Sequence, residues 1–425
     1  MVDIRPFKAI TYTSKAGPTE NLITQPYDKI DAATQKQYYE ASPYNYCRLI
    51  LPMEADKYTV ANQRINQWLH EGVMARESQP AFYIARQEFT INGQKISRTG
   101  IIAAVELHPY SDNVVFPHEQ TFSAPKADRL NMLRTLQKDL EPVFLMFQDP
   151  EEKSIKFMAE VAETQPAIQT TDSLGVHHTV WKVTEPSKIK ELRDILAPKP
   201  VVINDGHHRY ESAVLYRDEM RSKGNWTADQ AFNYHMCYIV PVQEKGLVVL
   251  PTHRLLKQYT LTPQLVEELK CYFEITELSP NVAALEAFLA GHVGEHAFGV
   301  YDGKKALGLI LKHDSSVLQY VFQTVSKETK VFDVVILRDI VFKQVLKIGK
   351  LTIDDNILYE RWAKDAVAKV DSGEASITFL VNPIKASTVA EVAVQHEVLP
   401  EKSTDFYPKL VSGLVMMDIA PSEAL

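Results

Sequence analysis

The stretch Val201-Val202-Ile203-Asn204-Asp205-Gly206-His207-His208-Arg209 predicts a strand, a tight turn and a helix in direct succession. Its β-branched apolar start is typical of a buried strand. Asn204-Asp205-Gly206 has turn chemistry, because glycine tolerates a positive φ. Beyond Arg209, apolar and charged side chains recur with the helical period, which predicts an amphipathic helix. The histidines and Arg209 therefore lie at a helix N-terminus, where the helix dipole favours an anion.

Two interpretations of this turn are open. In the functional one, Gly206 lets a phosphate or carboxylate approach the backbone, Arg209 clamps it, and a histidine donates a hydrogen bond or shuttles a proton. In the structural one, Asp205 caps the helix, His207 bonds a loop carbonyl and Arg209 pairs with an acidic residue of its own helix. The concentration of polar groups directly behind an apolar strand favours the functional interpretation.

Composition limits the class of protein. The chain has 425 residues, a net charge of −8, 45% hydrophobic and 24% charged residues, which is ordinary for a soluble globular protein. The acidic balance argues against a protein that coats nucleic acid. We find no apolar run long enough to cross a bilayer and no signal peptide, and the three cysteines are too far apart for a disulfide framework or zinc site. We expect a cytoplasmic protein without a membrane partner, its oligomeric state left open.

The order of the segments predicts a mixed α/β (α+β) fold. Strand-like runs, among them a hairpin at Asn92-Gly93, predict a central mixed sheet with flanking helices that carries the Gly206 turn. From Thr262 the pattern changes to alternating helices and strands. We therefore expect a core domain at 1–259 and a C-terminal α+β domain at 260–425. Less regular segments predict a strand at 48–51, a helix capped by Asp128, a strand at 317–322 and a helix at 358–370.

Two polar pairs outside the turn suggest site chemistry. His118 and Glu119 resemble a fragment of an acid/base or metal site, although neighbours on a strand point to opposite faces. His253-Arg254 is a second His-Arg pair at a predicted strand end. The alternatives are loop decoration for the first pair and a solvated strand terminus for the second.

A C-terminal segment predicts an anion-holding loop. Lys402, Ser403, Thr404 and Lys409 lie within eight residues, and a hydroxyl pair between two lysines suits phosphate oxygens. The segment lacks the glycines of a P-loop. A solvated loop is the alternative.

Short motifs follow one another along the whole chain. They are Arg5-Pro6-Phe7, Pro26-Tyr27-Asp28, Ser42-Pro43-Tyr44-Asn45, Pro117-His118-Glu119, Lys126 with Asp128-Arg129-Leu130, Asp205-Gly206-His207-His208-Arg209-Tyr210-Glu211, Pro251-Thr252-His253-Arg254, and Lys402-Ser403-Thr404 with Phe406-Tyr407-Pro408-Lys409. With them the chain resembles the bacterial and archaeal family called domain of unknown function 1015. It departs from that family's pattern at Glu401, usually Gln, and at Asp405, usually aromatic, so a ligand touching either position would be recognised differently. The family name implies no function.

The turn has a second resemblance. Strand, Gly-His-His-Arg turn and helix together are similar to the box of ParB-type nucleotide-binding domains and of sulfiredoxins. In that superfamily the box cradles nucleotide phosphates at a helix N-terminus, and one branch contains free serine kinases. The resemblance implies a nucleotide ligand.

The first hypothesis is a kinase-like phosphotransferase acting on a small hydroxyl metabolite, with a serine-like acceptor and with Mg²⁺ and ATP or ADP as cofactors. The predicted catalytic residues are Asp205, His207, His208 and Glu119. Of these, Asp205 or Glu119 would bind Mg²⁺ or act as the base. The predicted phosphate- or substrate-binding residues are Gly206, Arg209, His118, Lys126, Arg129, His253, Arg254, Lys402, Ser403, Thr404 and Lys409. This hypothesis expects the scattered motifs to converge on one cleft.

Two alternatives remain. One is a metal-dependent hydrolase whose ligands come from His118, Glu119, His207, His208 and His253, although no pair has the spacing of a helical zinc motif. The other is a non-catalytic regulator that binds a nucleotide through the same turn. Acidic charge and the lack of a clear helix-turn-helix motif argue against a role on DNA.

Overall fold

The computed structural model describes residues 2–119, 123–312, 332–348, 356–400 and 402–425, without the side chains of 123–125. Contacts divide the chain into two units, each assembled from separate segments. The first unit comprises Met1–Pro117, Thr121–Val248 and Pro408–Leu425, and the second comprises His118–Gln120 and Val249–Tyr407. The domain limits expected at 259 and 260 stay a prediction.

The first unit contains seven helices among its described residues. They are α1 (Ala32–Ala41), α2 (Cys47–Ile50), α3 (Lys57–His70), α4 (Ser123–Leu136), α5 (Lys153–Ala162), α6 (Pro186–Leu196) and α7 (His207–Ser222). Short 3₁₀ helices occupy Ser14–Ala16, Thr19–Asn21, Tyr27–Lys29, Tyr110–Asp112 and Ala231–Asn233. The strands are β1 (Ile4–Arg5), β2 (Ile10–Tyr12), β3 (Met74–Arg76), β4 (Phe82–Ile91), β5 (Gln94–Glu106), β6 (Val115–Phe116), β7 (Lys138–Asp139), β8 (Val143–Phe147), β9 (Ile168–Thr171), β10 (His177–Val183), β11 (Val201–Asp205), β12 (Tyr234–Pro241) and β21 (Met417–Asp418).

Nine of these strands form one mixed sheet. Its order is β6-β11-β8-β12-β5-β4-β10-β9, with β1 added to β5. β11 runs parallel to β6, and β12 runs parallel to β8, while the other pairs are antiparallel. The predicted hairpin is confirmed, since β4 and β5 are joined through Asn92 and Gly93, both with positive φ. This sheet confirms the expected mixed α/β class.

Two local predictions in the first unit are wrong. Residues 48–51 lie mostly in helix α2, not in a strand. A buried apolar run this short has no periodicity that separates the two, and the Asn45 Oδ1 bond from the Cys47 N–H at 2.9 Å helps to start the helix. Asp128 does not cap a helix, because α4 already begins at Ser123 and Asp128 lies inside it.

The second unit is a separate α+β arrangement. Its helices are α8 (Pro263–Leu269), α9 (Val282–Gly291), α10 (Asp333–Ile336), which continues as a π-helix over Leu337–Val345, α11 (Ala363–Asp371) and α12 (Ala386–Ala393). Its strands are β13 (Val248–Leu250), β14 (His253–Leu256), β15 (Phe273–Leu278), β16 (Ala297–Tyr301), β17 (Ala306–Leu311), β18 (Ile357–Glu360), β19 (Ile377–Val381) and β20 (Asp405–Tyr407). The main sheet is antiparallel in the order β15-β17-β16-β19-β14-β18.

The predicted helix at 358–370 is wrong at its start, because β18 pairs with β14 there and the helix begins only at Ala363. The predicted strand at 317–322 lies outside the described residues. Over the parts of the chain that the structure covers, no helix is both long and apolar enough to span a bilayer.

Candidate functional site

The Gly206 turn, residues 204–209, has the predicted strand-turn-helix form. β11 ends at Asp205, Gly206 has a left-handed backbone with φ of +92°, and α7 begins at His207. A Cβ on Gly206 would lie 2.9 Å from both Nε and Nη2 of Arg209. Position 206 therefore requires glycine for two reasons. The backbone has a left-handed conformation, and a side chain there would collide with the Arg209 guanidinium.

A β-bulge precedes the turn. Ile203 pairs with Leu145 while Asp205 pairs with Phe144, so Asn204 is the extra residue of its strand. The Asn204 side chain is 3% exposed, and neither its oxygen nor its nitrogen has a hydrogen-bond partner among the described residues. Buried amides are nearly always bonded, so this group is one that a ligand or water would complete.

Asp205 is the charge centre of the turn. Its Oδ2 accepts from Arg209 Nη2 at 2.8 Å, and its Oδ1 accepts from Lys409 Nζ at 2.8 Å. Burial raises the pKa of Asp205, but the charges of Lys409, Arg209 and Lys29 outweigh it and hold that pKa well below its ordinary value. Asp205 is thus a fixed anion that binds two cations, not the helix cap of the structural alternative.

Arg209 is buried, and both terminal nitrogens of its guanidinium form hydrogen bonds. Its Nη1 donates to the Pro142 carbonyl at 2.6 Å, and it is 7% exposed. Burial lowers its pKa, yet Glu141 and Asp205 raise it above the ordinary value. The guanidinium is therefore a permanent, immobile positive charge beneath the turn.

A second charged layer adjoins Arg209. Glu141 accepts from the Tyr27 N–H at 3.1 Å and from Ser412 Oγ at 3.0 Å, and Arg129 Nη1 lies 3.5 Å from its other oxygen. Arg129 stacks over the Tyr27 ring at 3.9 Å. A cavity of about 30 Å³ is lined by Arg129, Glu141, Arg209 and His235.

His235 is a buried residue beside this cavity that the sequence does not predict. Its Nδ1 lies 2.6 Å from Asp139 Oδ2, both side chains are buried, and its Nε2 has no partner among the described residues. A single histidine in an apolar strand gives no signal of an aspartate 96 positions earlier.

The other predicted cations of the first unit are paired. Lys126 Nζ lies 2.7 Å from Glu211, and the neighbouring Ser212 Oγ donates to the Lys126 carbonyl at 2.9 Å. Arg129 binds Asp128, whose pKa burial raises but Arg129 and Lys57 lower to about 2. Within the turn, His207 is buried and His208 is partly exposed.

His118 and Glu119 belong to the second unit and both contact Thr404. His118 Nε2 lies 2.7 Å from Thr404 Oγ1, while Glu119 Oε1 accepts from the Thr404 N–H at 3.2 Å and from its hydroxyl at 3.1 Å. The strand argument against a shared partner does not apply, because β6 ends at Phe116 and only Glu119 forms an isolated bridge, to Leu399.

His253 and Arg254 begin β14 and do not end a strand. His253 Nδ1 accepts from the Val381 N–H at 3.2 Å, and burial followed by the Arg254 charge lowers its pKa to about 3. Burial lowers the pKa of Arg254 to about 10. Arg254 Nη2 donates to the Lys402 carbonyl at 3.0 Å. These bonds favour a structural role for His253.

The remaining members of the predicted anion loop have separate partners. Ser403 is buried, and its hydroxyl donates to the Pro400 carbonyl at 2.5 Å. Lys402 is exposed and has a positive φ, whereas Lys409 binds Asp205 in the first unit. The expectation that all predicted site residues share one cleft stays a prediction.

Metal ligation was the basis of the hydrolase alternative. Among the described residues, no three His, Cys, Asp or Glu side chains lie together in a way that could hold a metal ion. This part of the chain therefore offers that alternative no ligand set.

Comparison with known proteins gives a family and several distant structures. The model of the family described as protein of unknown function (DUF1015) matches residues 4–335. No curated protein matches the chain. A free serine kinase mutant in complex with ADP is 14% identical and covers 74% of this chain and 92% of its own, with a TM-score of 0.34. At this identity and TM-score the likeness adds no argument about function.

Two further solved structures are similarly distant. A conserved hypothetical protein from Pyrococcus furiosus is 16% identical, with 74% of this chain and 94% of that chain covered and a TM-score of 0.32. SbnI from Staphylococcus aureus, truncated at its C-terminus, is 10% identical, with 75% and 88% covered and a TM-score of 0.34.

Proposed function

The chain belongs to the DUF1015 family, whose description names no activity, and we propose that it is an enzyme that binds a phosphorylated small molecule at the Gly206 turn. The reaction we propose is phosphoryl transfer from a nucleotide to the hydroxyl of a small, serine-like metabolite. The observation that carries the proposal is that Asp205 binds both Arg209 and Lys409 at the N-terminus of α7, which Gly206 precedes.

The backbone of the turn supports the proposal that an anion binds there. The first N–H groups of any helix lack acceptors within the helix, and the helix dipole adds positive potential there. Because Gly206 has no side chain, the Arg209 guanidinium can lie directly beside the turn and bring its positive charge there. The side-chain amide of Asn204, which has no hydrogen-bond partner in the described part of the chain, lies one residue before Asp205 and adds hydrogen-bonding capacity.

The side-chain charges at the turn also support the proposal that an anion binds there. Asp205 carries one negative charge against the two positive charges of Arg209 and Lys409, and the nearby Glu141 faces the positive charge of Arg129. The surplus charge is held in place before any ligand binds, so little reorganisation is needed when charge develops on a transferring phosphoryl group. His207 and His208 would add hydrogen bonds from the first helical turn.

A Mg²⁺ ion would enter this site together with ATP or ADP, because the described residues contain no group of three His, Cys, Asp or Glu side chains that could hold the ion by themselves. Magnesium sites of this kind take most ligands from phosphate oxygens and water, with one or two protein carboxylates. When bound, the ion would neutralise phosphate charge. The residues of this chain would bind and orient the phosphates around it, and Asp205 would keep Arg209 and Lys409 in position.

The test compares two buried arginines of the same helix. Arg209 and Arg217 are 7% and 4% exposed, and each donates to a backbone carbonyl and to an aspartate. We would measure thermal unfolding of wild type, Arg209→Met and Arg217→Met with ADP, ATP, phosphate and phosphoserine, with and without Mg²⁺. A ligand at a hundred times its Kd stabilises the native state by about 2.7 kcal/mol.

We expect ADP or ATP to stabilise wild type and Arg217→Met but not Arg209→Met. Equal stabilisation of both variants would contradict the proposed site. Wild type that binds ADP but transfers no phosphoryl group to any hydroxyl acceptor would favour the non-catalytic regulator instead.

A further inference from the structure

The Pro26-Tyr27-Asp28 motif has no role in the function proposed so far, yet its 3₁₀ turn lies beside the buried arginines. The Tyr27 N–H bonds Glu141, and the Tyr27 ring stacks on Arg129. Arg129 and Glu141 line the same cavity as Arg209. Charges agree with this placement, since Asp28 helps to raise the pKa of Arg209 and Lys29 helps to lower that of Asp205.

Four carboxylates of this region are already held by short bonds. Their partners are Arg209 and Lys409 for Asp205, Tyr27 and Ser412 for Glu141, Lys126 and Tyr110 for Glu211, and Lys57, Tyr58 and Arg129 for Asp128. Asp28 differs from them. Within the described residues its ion pair is with Lys29 at 3.9 Å, and its side chain is 43% exposed. Of these five carboxylates, Asp28 is therefore the one whose oxygens have room for a substrate group.

We propose that Asp28 is the general base of the phosphoryl transfer, accepting the proton of the acceptor hydroxyl. This inference rests on the proposed function. The hydroxyl oxygen forms a bond to the terminal phosphorus of a nucleoside triphosphate, and the bond from that phosphorus to the bridging oxygen breaks. The electron pair of the broken bond stays on the leaving nucleoside diphosphate, and the hydroxyl proton moves to a carboxylate oxygen of Asp28.

Asp205 is less suited to this task. Both of its oxygens accept bonds from cations, which stabilise the unprotonated form and oppose proton uptake. An aspartate that orients the acceptor hydroxyl and takes its proton is a recurring part of phosphoryl-transfer sites. Asp205 would then organise the cations, and Asp28 would face the acceptor.

The experiment compares Asp28→Asn with Glu40→Gln. Glu40 is an exposed carboxylate on α1 with its own lysine at 3.9 Å, Lys36, so the control removes an equally loose ion pair. Each protein is tested for stabilisation by ADP and phosphate, and for ADP release from ATP with serine, homoserine and glycerol as acceptors.

We expect Asp28→Asn to keep wild-type stability and ADP stabilisation while turnover falls at least about 100-fold, the usual scale for removing a general base. Glu40→Gln should retain both properties.

Other outcomes separate the two proposals. Turnover within a few fold of wild type in Asp28→Asn overturns the base but leaves the binding site intact. Loss of ADP stabilisation in Asp28→Asn also overturns the base, since Asp28 would then be a binding residue. A wild type that binds ADP without turnover overturns the transferase function, and the base with it, while nucleotide binding stands.

Discussion

Lys409 places its ammonium group 2.8 Å from Oδ1 of Asp205, although 204 positions separate the two residues. The backbone around Lys409 is itself anchored, because the buried Arg98 donates to the Pro408 carbonyl at 2.6 Å and Gln87 donates to the Lys409 carbonyl at 3.2 Å. The C-terminal segment thus places the Lys409 ammonium at the Gly206 turn, and hydrogen bonds from Arg98 and Gln87 of the central sheet hold the segment there.

Replacing Lys409 by Met should abolish stabilisation by ADP or phosphate. The variant removes one of the two cations on Asp205, so the surplus positive charge at the turn is lost. Stability should fall by about 1–3 kcal/mol, the cost of leaving a partly buried acceptor with one partner fewer. Thermal shift with ligand and urea denaturation without ligand measure the two effects separately.

Lys138→Met is the matched control. Lys138 pairs with Asp418 of the same C-terminal segment at 3.1 Å, and the side-chain exposures of 14% and 17% resemble the 13% and 23% of Lys409 and Asp205. It should lose similar stability but keep the ligand response. If both variants respond to ADP like wild type, Lys409 has no part in binding.

Gly206→Ala should be more damaging than Gly224→Ala at the other end of the same helix. Both glycines have a positive φ, +92° at Gly206 and +80° at Gly224, so an alanine at either position is strained by the left-handed backbone conformation. A Cβ at Gly224 meets no atom of the described residues within 4 Å, whereas a Cβ at Gly206 meets the Arg209 guanidinium at 2.9 Å. We expect losses of about 1–2 kcal/mol at Gly224 and about 2–5 kcal/mol at Gly206.

Ligand binding separates the two glycines further. Displacing the Arg209 guanidinium should remove the ADP and phosphate response of Gly206→Ala, whereas Gly224→Ala should keep it. Denaturant midpoints and thermal shifts give both values on the same samples. If Gly206→Ala and Gly224→Ala lose the same stability, the Arg209 guanidinium moves away from the new methyl group without a loss of free energy.

The turn itself could be predicted from sequence because every signal for it is local. β-branched residues predict β11, the helical period predicts α7, and a glycine between them predicts the left-handed residue at position 206. The hairpin at Asn92-Gly93 was predictable for the same reason. Local backbone preferences and tertiary structure agree at these positions.

The partners of the turn could not be predicted, since they depend on tertiary contacts. The sequence groups Lys409 with Lys402 in one predicted anion loop, yet the Lys409 ammonium binds Asp205. The sequence predicts that Asp128 caps a helix, yet its carboxylate binds Lys57 and Tyr58. A single sequence shows which side chains can form ion pairs but not which of them meet in the fold.

His253 should make stability depend on pH in the acidic range. Its folded pKa of about 3 lies below the ordinary value of 6.5, so between these values the unfolded chain binds a proton that the folded chain excludes. The contribution is complete above about pH 6.5 and declines as the pH falls toward 3, by up to about 1.4 kcal/mol per pH unit. His253→Asn retains an acceptor for the Val381 N–H but does not titrate.

Hydrogen exchange in β14 and β19 at pH 4.5, 5.5, 6.5 and 7.5 would report this effect locally. Protection in wild type should fall below pH 6.5, and the fall should be smaller in His253→Asn. If the two proteins lose protection in parallel, His253 is already protonated in the folded state and its bond to Val381 is not the one seen here.

His108 should show the opposite pH dependence. The Glu106 hydrogen bond raises its pKa above the ordinary 6.5, burial opposes this, and Asp112 adds to the increase. A raised folded pKa gives stability that is fully present below about pH 6.5 and is lost as the pH rises through the folded value. The stability gap between wild type and His108→Asn should therefore be largest near pH 5.5 and shrink toward pH 9. Urea denaturation at these two pH values tests this, and a gap that widens with pH would show that His108 is held neutral.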